Sequence, residues 1–199
     1  FGNNDTPGVV LASAAKEYLK VYGVLVGKKH LIFTNNDSAY ETAIEFKKNN
    51  INPIILDTRK NPDSEIISQV KNMGIEIKFS YVVVAAKGYK KVNSAEIASI
   101  SEDKKDLGKI ENIACDCICV SGFWTPTIHL ASQSGNKTKF NEEIDAFVPG
   151  KSKQNETTVG SANGIFSLEK TLTTAFEKGH EISKKITNKD NKISVPQVL

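Results

Sequence analysis

Residues 30–59 constrain the fold of this chain more than any other stretch, because they read as strand, tight loop, helix and strand with no glycine in the loop. Leu31-Ile32-Phe33 is a short apolar strand, Asp37 to Asn49 carries Ala39, Ala43 and Phe46 at helical spacing, and Pro53 to Asp57 is a second strand of the buried type. The outline is a βαβ unit. Laid on the G-x-G-x-x-G/A dinucleotide fingerprint, the register runs Thr34-x-Asn36-x-x-Ala39, with Asp57 near the distance where an acid would hold a ribose hydroxyl. A β-carbon at either of the first two glycine positions stands between the loop amides and a pyrophosphate. Asn36 tolerates positive φ, whereas Thr34 does so only at a cost. The loop therefore reads chiefly as a Rossmann-like unit kept for its shape, with nucleotide binding as the lesser alternative. Asn36 or Asp37 is expected to cap the helix that follows.

A chain of 199 residues, 39% hydrophobic and 25% charged, has room for one full core or for one domain and part of another. It contains no apolar run of about 20 residues and no signal peptide, which predicts a cytoplasmic protein without a membrane span. The net charge of +3 is spread over lysines scattered among acids. Without a basic stripe interleaved with aromatics, a nucleic-acid partner is not expected. The opening Phe1-Gly-Asn-Asn-Asp-Thr-Pro-Gly8 reads as the middle of a longer polypeptide, and Asn188 to Leu199 as an exit linker.

Cys115, Cys117 and Cys119 alternate along one apolar run, so their side chains share a strand face. Chelation by C-x-C-x-C is conceivable. With no fourth ligand suggested nearby, packing is the stronger reading, and neither a metal site nor a disulfide is expected.

Along the chain, Val9 to Tyr22 reads as an amphipathic helix with Leu11, Ala15, Tyr18, Leu19 and Tyr22 on one face and Gly23 ending it. After the βαβ unit, Asp63 to Asn72 is a helix closed by Gly74, and Ile75 to Ile77 a strand. Tyr81 to Ala86 and Tyr89 to Ile100 form a hairpin-like pair about Lys87-Gly88, and Gly108 turns the chain into a strand over Ile113 to Val120. Ser121 to Leu130 is a crossover, Phe140 to Pro149 a short strand pair, and Val159 to Gly164 leads into a helix with Leu168, Leu172, Ala175 and Phe176 in register that ends at Gly179.

Two segments carry candidate chemistry. Gly160-Ser161-Ala162-Asn163-Gly164 is a small-residue loop expected to open onto a helix N-terminus, where free amides favour an anion such as a pyrophosphate; a plain glycine turn is the equal alternative. In Ser121 to Pro126, Gly122 permits close approach, while Phe123 and Trp124 read as core or interface residues more readily than as a cofactor platform. His30, His129 and His180 have no Ser, Cys or acidic partner at a recognisable catalytic spacing, so no catalytic residue is assigned.

Four segments together resemble the α subunit of heterotetrameric sarcosine oxidase: Asn3 to Leu19, Phe33-Thr-Asn-Asn-Asp-Ser-Ala-Tyr40, Val120 to Leu130, and Val159-Gly-Ser-Ala-Asn-Gly164. The resemblance spans nearly the whole chain, and the glycine-free loop belongs to it. It implies an α/β, Rossmann-like FAD/NAD(P)-binding fold of the two-domain flavoprotein reductase type, βαβαβ plus antiparallel meander, with part of the first dinucleotide-binding domain. The implied boundaries are a first-domain or linker helix over 1–22, an inserted Rossmann-like domain over 23–120, a return to the first domain over 121–187 and the linker over 188–199. It implies an assembly that oxidatively demethylates sarcosine to glycine, passes the one-carbon unit to tetrahydrofolate and forms hydrogen peroxide. NAD would belong to the intact α subunit, with FAD and FMN in the intact complex but outside this segment. The implied NAD contacts are Gly160, Ser161, Ala162, Asn163, Gly164 and Leu168, with Gly122 and Trp124 lining the approach, much of the site being supplied upstream of Phe1. Related reductases carry a Gly-Asp pair at this late loop to meet a flavin's sugar-like chain, and Ser161 and Asn163 lack that charge. Implied partners are the other subunits of the heterotetramer, with a homodimer as an alternative for the piece alone. The competing readings are a related amine or imino-acid dehydrogenase subunit acting on proline, opines or glycine, and a non-binding scaffold domain.

Overall fold

The computed structural model describes residues 1–103, 105–122 and 124–187. Phe123 and the expected linker 188–199 lie outside the described residues. The chain divides into two compact units, Phe1–Phe123 and Trp124–Leu199.

The first unit is built on five parallel strands: β1 (Val9–Leu11), β2 (His30–Thr34), β3 (Ile54–Asp57), β4 (Glu76–Phe79) and, last in sequence, β8 (Cys117–Ser121). Their order is β1-β8-β2-β3-β4. Between the strands run α1 (Ala12–Tyr22), α2 (Ser38–Lys48) and α3 (Glu65–Asn72), and a three-stranded antiparallel meander of β5 (Tyr81–Lys87), β6 (Ser94–Ser99) and β7 (Glu111–Ile113) precedes β8. Strand alternation divides the buried residues between two cores. Ile32, Ile55, Cys117 and Cys119 pack with Ala12, Ala15, Ala39, Tyr40, Ala43, Phe46, Ile67 and Val70 of the helices. Leu31, Leu56 and Ile118 pack with Val83, Ala86, Ala95 and Ile97 of the meander. A central parallel sheet covered on both faces explains why its strands read as continuous apolar runs.

Three expectations are revised here. Val9 to Tyr22 is not one helix: Val9–Leu11 pairs in parallel with Ile118–Val120, and only the remainder is helical, ending at Gly23 with φ +64°. The buried face of α1 is Ala12 and Ala15, while Leu11, Tyr18 and Tyr22 are exposed, so the helix approaches the sheet on its small residues. Residues 1–22 share the sheet and core of residues 23–122. The expected strand 113–120 is two strands in two sheets, because Asp116 between them turns its carboxylate onto the amides of Lys28 (2.8 Å) and Lys29 (2.7 Å).

All three cysteines are buried and free. The Sγ atoms of Cys117 and Cys119 lie 3.6 Å apart in the helix-side core, and burial pushes the Cys115 thiol up to about 12. Among the described residues no group of three or more His, Cys, Asp or Glu side chains is placed to hold a metal ion, and no helix is long and apolar enough to cross a membrane.

His30 stands at the start of β2, 3% exposed, its ring 4.3 Å from that of Phe46, with neither ring nitrogen hydrogen-bonded. Desolvation lowers its pKa from 6.5, opposed by the charge of Asp116. The unfolded chain then binds the extra proton first, so His30 favours the fold above about pH 6.5 and stability falls as the pH drops from there toward the depressed folded value. Urea titrations between pH 5 and 7.5 are expected to show a His30-dependent slope of at most about 1.4 kcal/mol per pH unit, which His30→Leu removes.

The second unit holds α4 (His129–Gln133), an antiparallel pair β9 (Thr138–Asn141) and β10 (Ala146–Pro149), a 3₁₀ turn over Gly160–Asn163, and α5 (Leu168–Thr187). Helix α5 runs past the expected stop at Gly179. A glycine in a helix interior costs only about 1 kcal/mol, and Glu181 bridges Lys178 across it at 2.8 Å and Lys185 one turn further on at 2.7 Å.

Candidate functional site

The carboxyl ends of β2, β3 and β8 meet where the strand order reverses direction, the place at which open α/β sheets bind ligands. A cavity of about 200 Å³ opens there, lined by Phe33, Thr34, Asn35, Thr58, Val120, Ser121 and Gly122. It is below the roughly 300–1,000 Å³ usual for small-molecule pockets.

The reason lies in the loop. Thr34 Oγ accepts from the Asn36 amide at 3.1 Å and donates to the Asn36 carbonyl at 2.9 Å, folding the loop back on itself. Asn36 Oδ1 accepts from the Ser38 amide at 3.0 Å and the Ser38 hydroxyl at 2.6 Å. The amide end of the same side chain donates to the Gly122 carbonyl at 2.7 Å, spanning from the β2–α2 loop to the end of β8. Asn36 is therefore the capping residue and Asp37 makes no cap bond. Asn36 does not take the positive φ that it tolerates, since the side chain, not an unusual backbone, closes the turn.

Asp57, at the end of β3, is fully buried. Its carboxylate accepts from the Tyr40 hydroxyl (2.7 Å), the Arg59 amide (2.9 Å), Arg59 Nε (3.1 Å) and Arg59 Nη2 (2.8 Å). The same Nη2 reaches Asp37 at 2.7 Å. Burial and the bond to Asp57 raise the Tyr40 phenol far above its ordinary value, and the two carboxylates hold Arg59 charged despite partial burial. Sequence reading passed over Tyr40, Arg59, Ser38 and the Thr34 hydroxyl. Arg59 two residues beyond Asp57 was the available signal, since that spacing returns a long side chain to the same strand end.

Of the residues named from the sequence, Gly122 lies in the first unit; Trp124, Gly160, Ser161, Ala162, Asn163, Gly164 and Leu168 lie in the second. Trp124 is exposed, with its ring 6.2 Å from Phe166. The late loop does not open onto a helix N-terminus: Gly160–Asn163 is itself a short 3₁₀ turn, and Ile165 to Ser167 separate it from α5. Gly160 and Gly164 have φ +68° and +79°. A β-carbon would meet Thr171 Cγ2 at 2.9 Å and Ile144 Cδ1 at 2.6 Å, so both glycines serve turn and packing. Gly164→Ala is expected to cost about 1–3 kcal/mol through positive φ and overpacking, read as an earlier urea transition in Trp124 fluorescence.

Asn163 lines a polar cavity of about 200 Å³ with Asn136, Ser152, Glu156, Thr157 and Thr158. Glu156 there accepts from the Ser134 hydroxyl and the Asn136 amide, both at 2.6 Å. Hydroxyls, amides and one carboxylate on a shallow wall suit hydrogen bonding to a polyhydroxylated group better than holding a bare phosphate.

No protein-family model matches the chain. Among solved structures it is similar to Lactococcus lactis thioredoxin reductase (TM-score 0.62, 18% identity, 93% of this chain and 58% of that one). It is also similar to the flavoprotein disulfide reductase RclA from Escherichia coli (TM-score 0.61, 14% identity, 93% and 40%). At these identities the likeness establishes the fold, an α/β Rossmann-like fold of the FAD/NAD(P)-binding type. In sequence the chain is 30% identical over 181 residues to sarcosine oxidase subunit alpha of Corynebacterium sp. (strain P-1), covering 90% of this chain and 18% of that one. It is 33% identical over 164 residues to the Rhizobium meliloti (strain 1021) subunit, covering 81% and 15%. The chain spans less than a fifth of these relatives' length and, over most of its own, is homologous to sarcosine oxidase alpha subunits.

Proposed function

We propose that this chain forms part of the α subunit of a heterotetrameric oxidoreductase that oxidatively demethylates sarcosine to glycine, transfers the one-carbon unit to tetrahydrofolate and forms hydrogen peroxide. The carrying observation is the 30–33% identity to three sarcosine oxidase alpha subunits along 81–90% of the chain. In this reading the segment does no bond chemistry itself. His30 is buried without a hydrogen-bond partner and the cysteines are buried with raised pKa values at Cys115 and Cys119, which disfavours them as acid, base or nucleophile.

Its contribution is to hold NAD and to brace neighbouring subunits. The second-unit loop Gly160 to Gly164 is the proposed NAD contact, supported by the hydroxyl-rich wall that Asn163 shares with Ser152, Thr157 and Thr158. When bound, NAD would supply a dinucleotide whose ribose hydroxyls suit that wall. The scaffold reading applies to the first unit, where the loop residues already satisfy one another.

The test is to isolate the complete polypeptide carrying this chain with its partner subunits. Sarcosine-dependent peroxide formation, with the one-carbon product changing from free formaldehyde to a tetrahydrofolate adduct when tetrahydrofolate is present and with NAD released on denaturation, is the expected result. Turnover of proline or an opine but not sarcosine would replace this reading with the related dehydrogenase.

A further inference from the structure

The geometry assigns the β2–α2 loop a role as its own ligand: the Asn36 side chain fills the phosphate position of the first unit's crevice and latches it to the end of β8, closing it to dinucleotides. This rests on the first unit alone and holds whichever substrate the whole assembly takes.

A dinucleotide needs three things at such a crevice: a tight turn without β-carbons, loop and helix N-terminal amides facing the pyrophosphate, and an acid at the end of the second strand for the ribose. Each need is met here from within. The turn is made by the Thr34 hydroxyl, which both accepts from and donates to Asn36 backbone atoms. The amides of Asn36 and Ser38, which would face an anion, donate instead to Thr34 Oγ and Asn36 Oδ1. Asp57 has four donors from Tyr40 and Arg59 and is fully buried. Arg59, at the crevice's ribose end, is itself shared between Asp57 and Asp37.

A bound pyrophosphate would have to displace a neutral carboxamide that already makes bonds to the Ser38 amide, the Ser38 hydroxyl and the Gly122 carbonyl. It would also bring its charges beside the carboxylates of Asp37 and Asp57, which already share the Arg59 guanidinium. Those lost bonds and uncompensated charges work against the ligand, which is how a site rejects a partner as well as how it selects one. The Asn36–Gly122 bond joins residues 86 apart in sequence, so the same side chain also fixes the exit of β8.

The test is titration of the ¹⁵N-labelled chain with ADP, followed amide by amide. The wild-type chain is expected to show no saturable shift at Thr34–Ser38 or Asp57–Arg59, and Thr34→Gly/Asn36→Gly to show one with at least tenfold tighter apparent binding. Equal behaviour of the two, whether both bind or neither does, overturns the assignment. Hydrogen exchange on the milder Asn36→Ala variant gives a second readout: loss of one hydrogen bond predicts exchange of the Ser38 amide about tenfold faster, and unchanged exchange contradicts the latch. ADP contacts at Gly160–Gly164 would appear at separate amides and bear on the NAD proposal alone.

Discussion

Asp57→Ala is expected to destabilise the first unit by about 3–5 kcal/mol, the range for removing one partner of a buried ion pair. The carboxylate is fully buried and neutralises a guanidinium that a second acid, Asp37, reaches only from its half-exposed side. Removal leaves the Tyr40 hydroxyl, itself in the core, without its acceptor. Asp57→Ala combined with Arg59→Leu should recover about 1 kcal/mol or more relative to the single variant, because apolar replacement of both partners removes the uncompensated charge. Urea unfolding by far-UV circular dichroism reads the loss. Trp124, the chain's only tryptophan, sits in the second unit, and its fluorescence serves as an internal control. A loss below 1 kcal/mol would mean that water reaches Asp57 and that the network is ornamental.

Phe46→Ala is expected to cost a similar 3–5 kcal/mol, the usual range for emptying a fully buried aromatic site. Phe46 is 0% exposed on the inner face of α2 and packs against the ring of His30. Truncation gives His30 room to hydrate, so the variant should also lose part of the acid-side slope of stability, because desolvation is the first cause of the lowered His30 pKa. Reduced stability with the slope intact would place the desolvation of His30 elsewhere than under Phe46.

Much of the first unit was legible from periodicity. The spacing of Ala39, Ala43 and Phe46 gave α2, the runs at 31–33 and 53–57 gave the parallel strands, and Gly23 and Gly74 gave helix ends, each with positive φ. What escaped depends on distant partners. Val9–Leu11 runs without a break into helical spacing, and only pairing with β8, more than a hundred residues on, makes it a strand. The alternation through Ile113, Cys115, Cys117 and Cys119 continues across the boundary between two sheets, and the break follows from Asp116 reaching Lys28 and Lys29. Gly179 shows a local stop signal overridden by flanking ion pairs.

The site divides in the same way. A missing glycine is a local fact, and it made a unit kept for its shape the stronger reading of the loop. That Asn36 closes the crevice was not legible, because its Gly122 partner is brought there only by the β2–β8 pairing. The late loop's glycines looked the same on paper whether they served a phosphate or a turn. Contacts with Thr171 and Ile144 supply the turn's reason.

The central claim is a division of labour: a first unit closed by its own side chains and a second-unit loop that meets the dinucleotide. Hydrogen exchange by mass spectrometry on the intact assembly, with and without added NAD, tests it most directly. The account predicts NAD-dependent protection in peptides covering Gly160–Leu168 and none in those covering Leu31–Tyr40 or Ile54–Lys60. Protection of the two latter segments on NAD addition would contradict it.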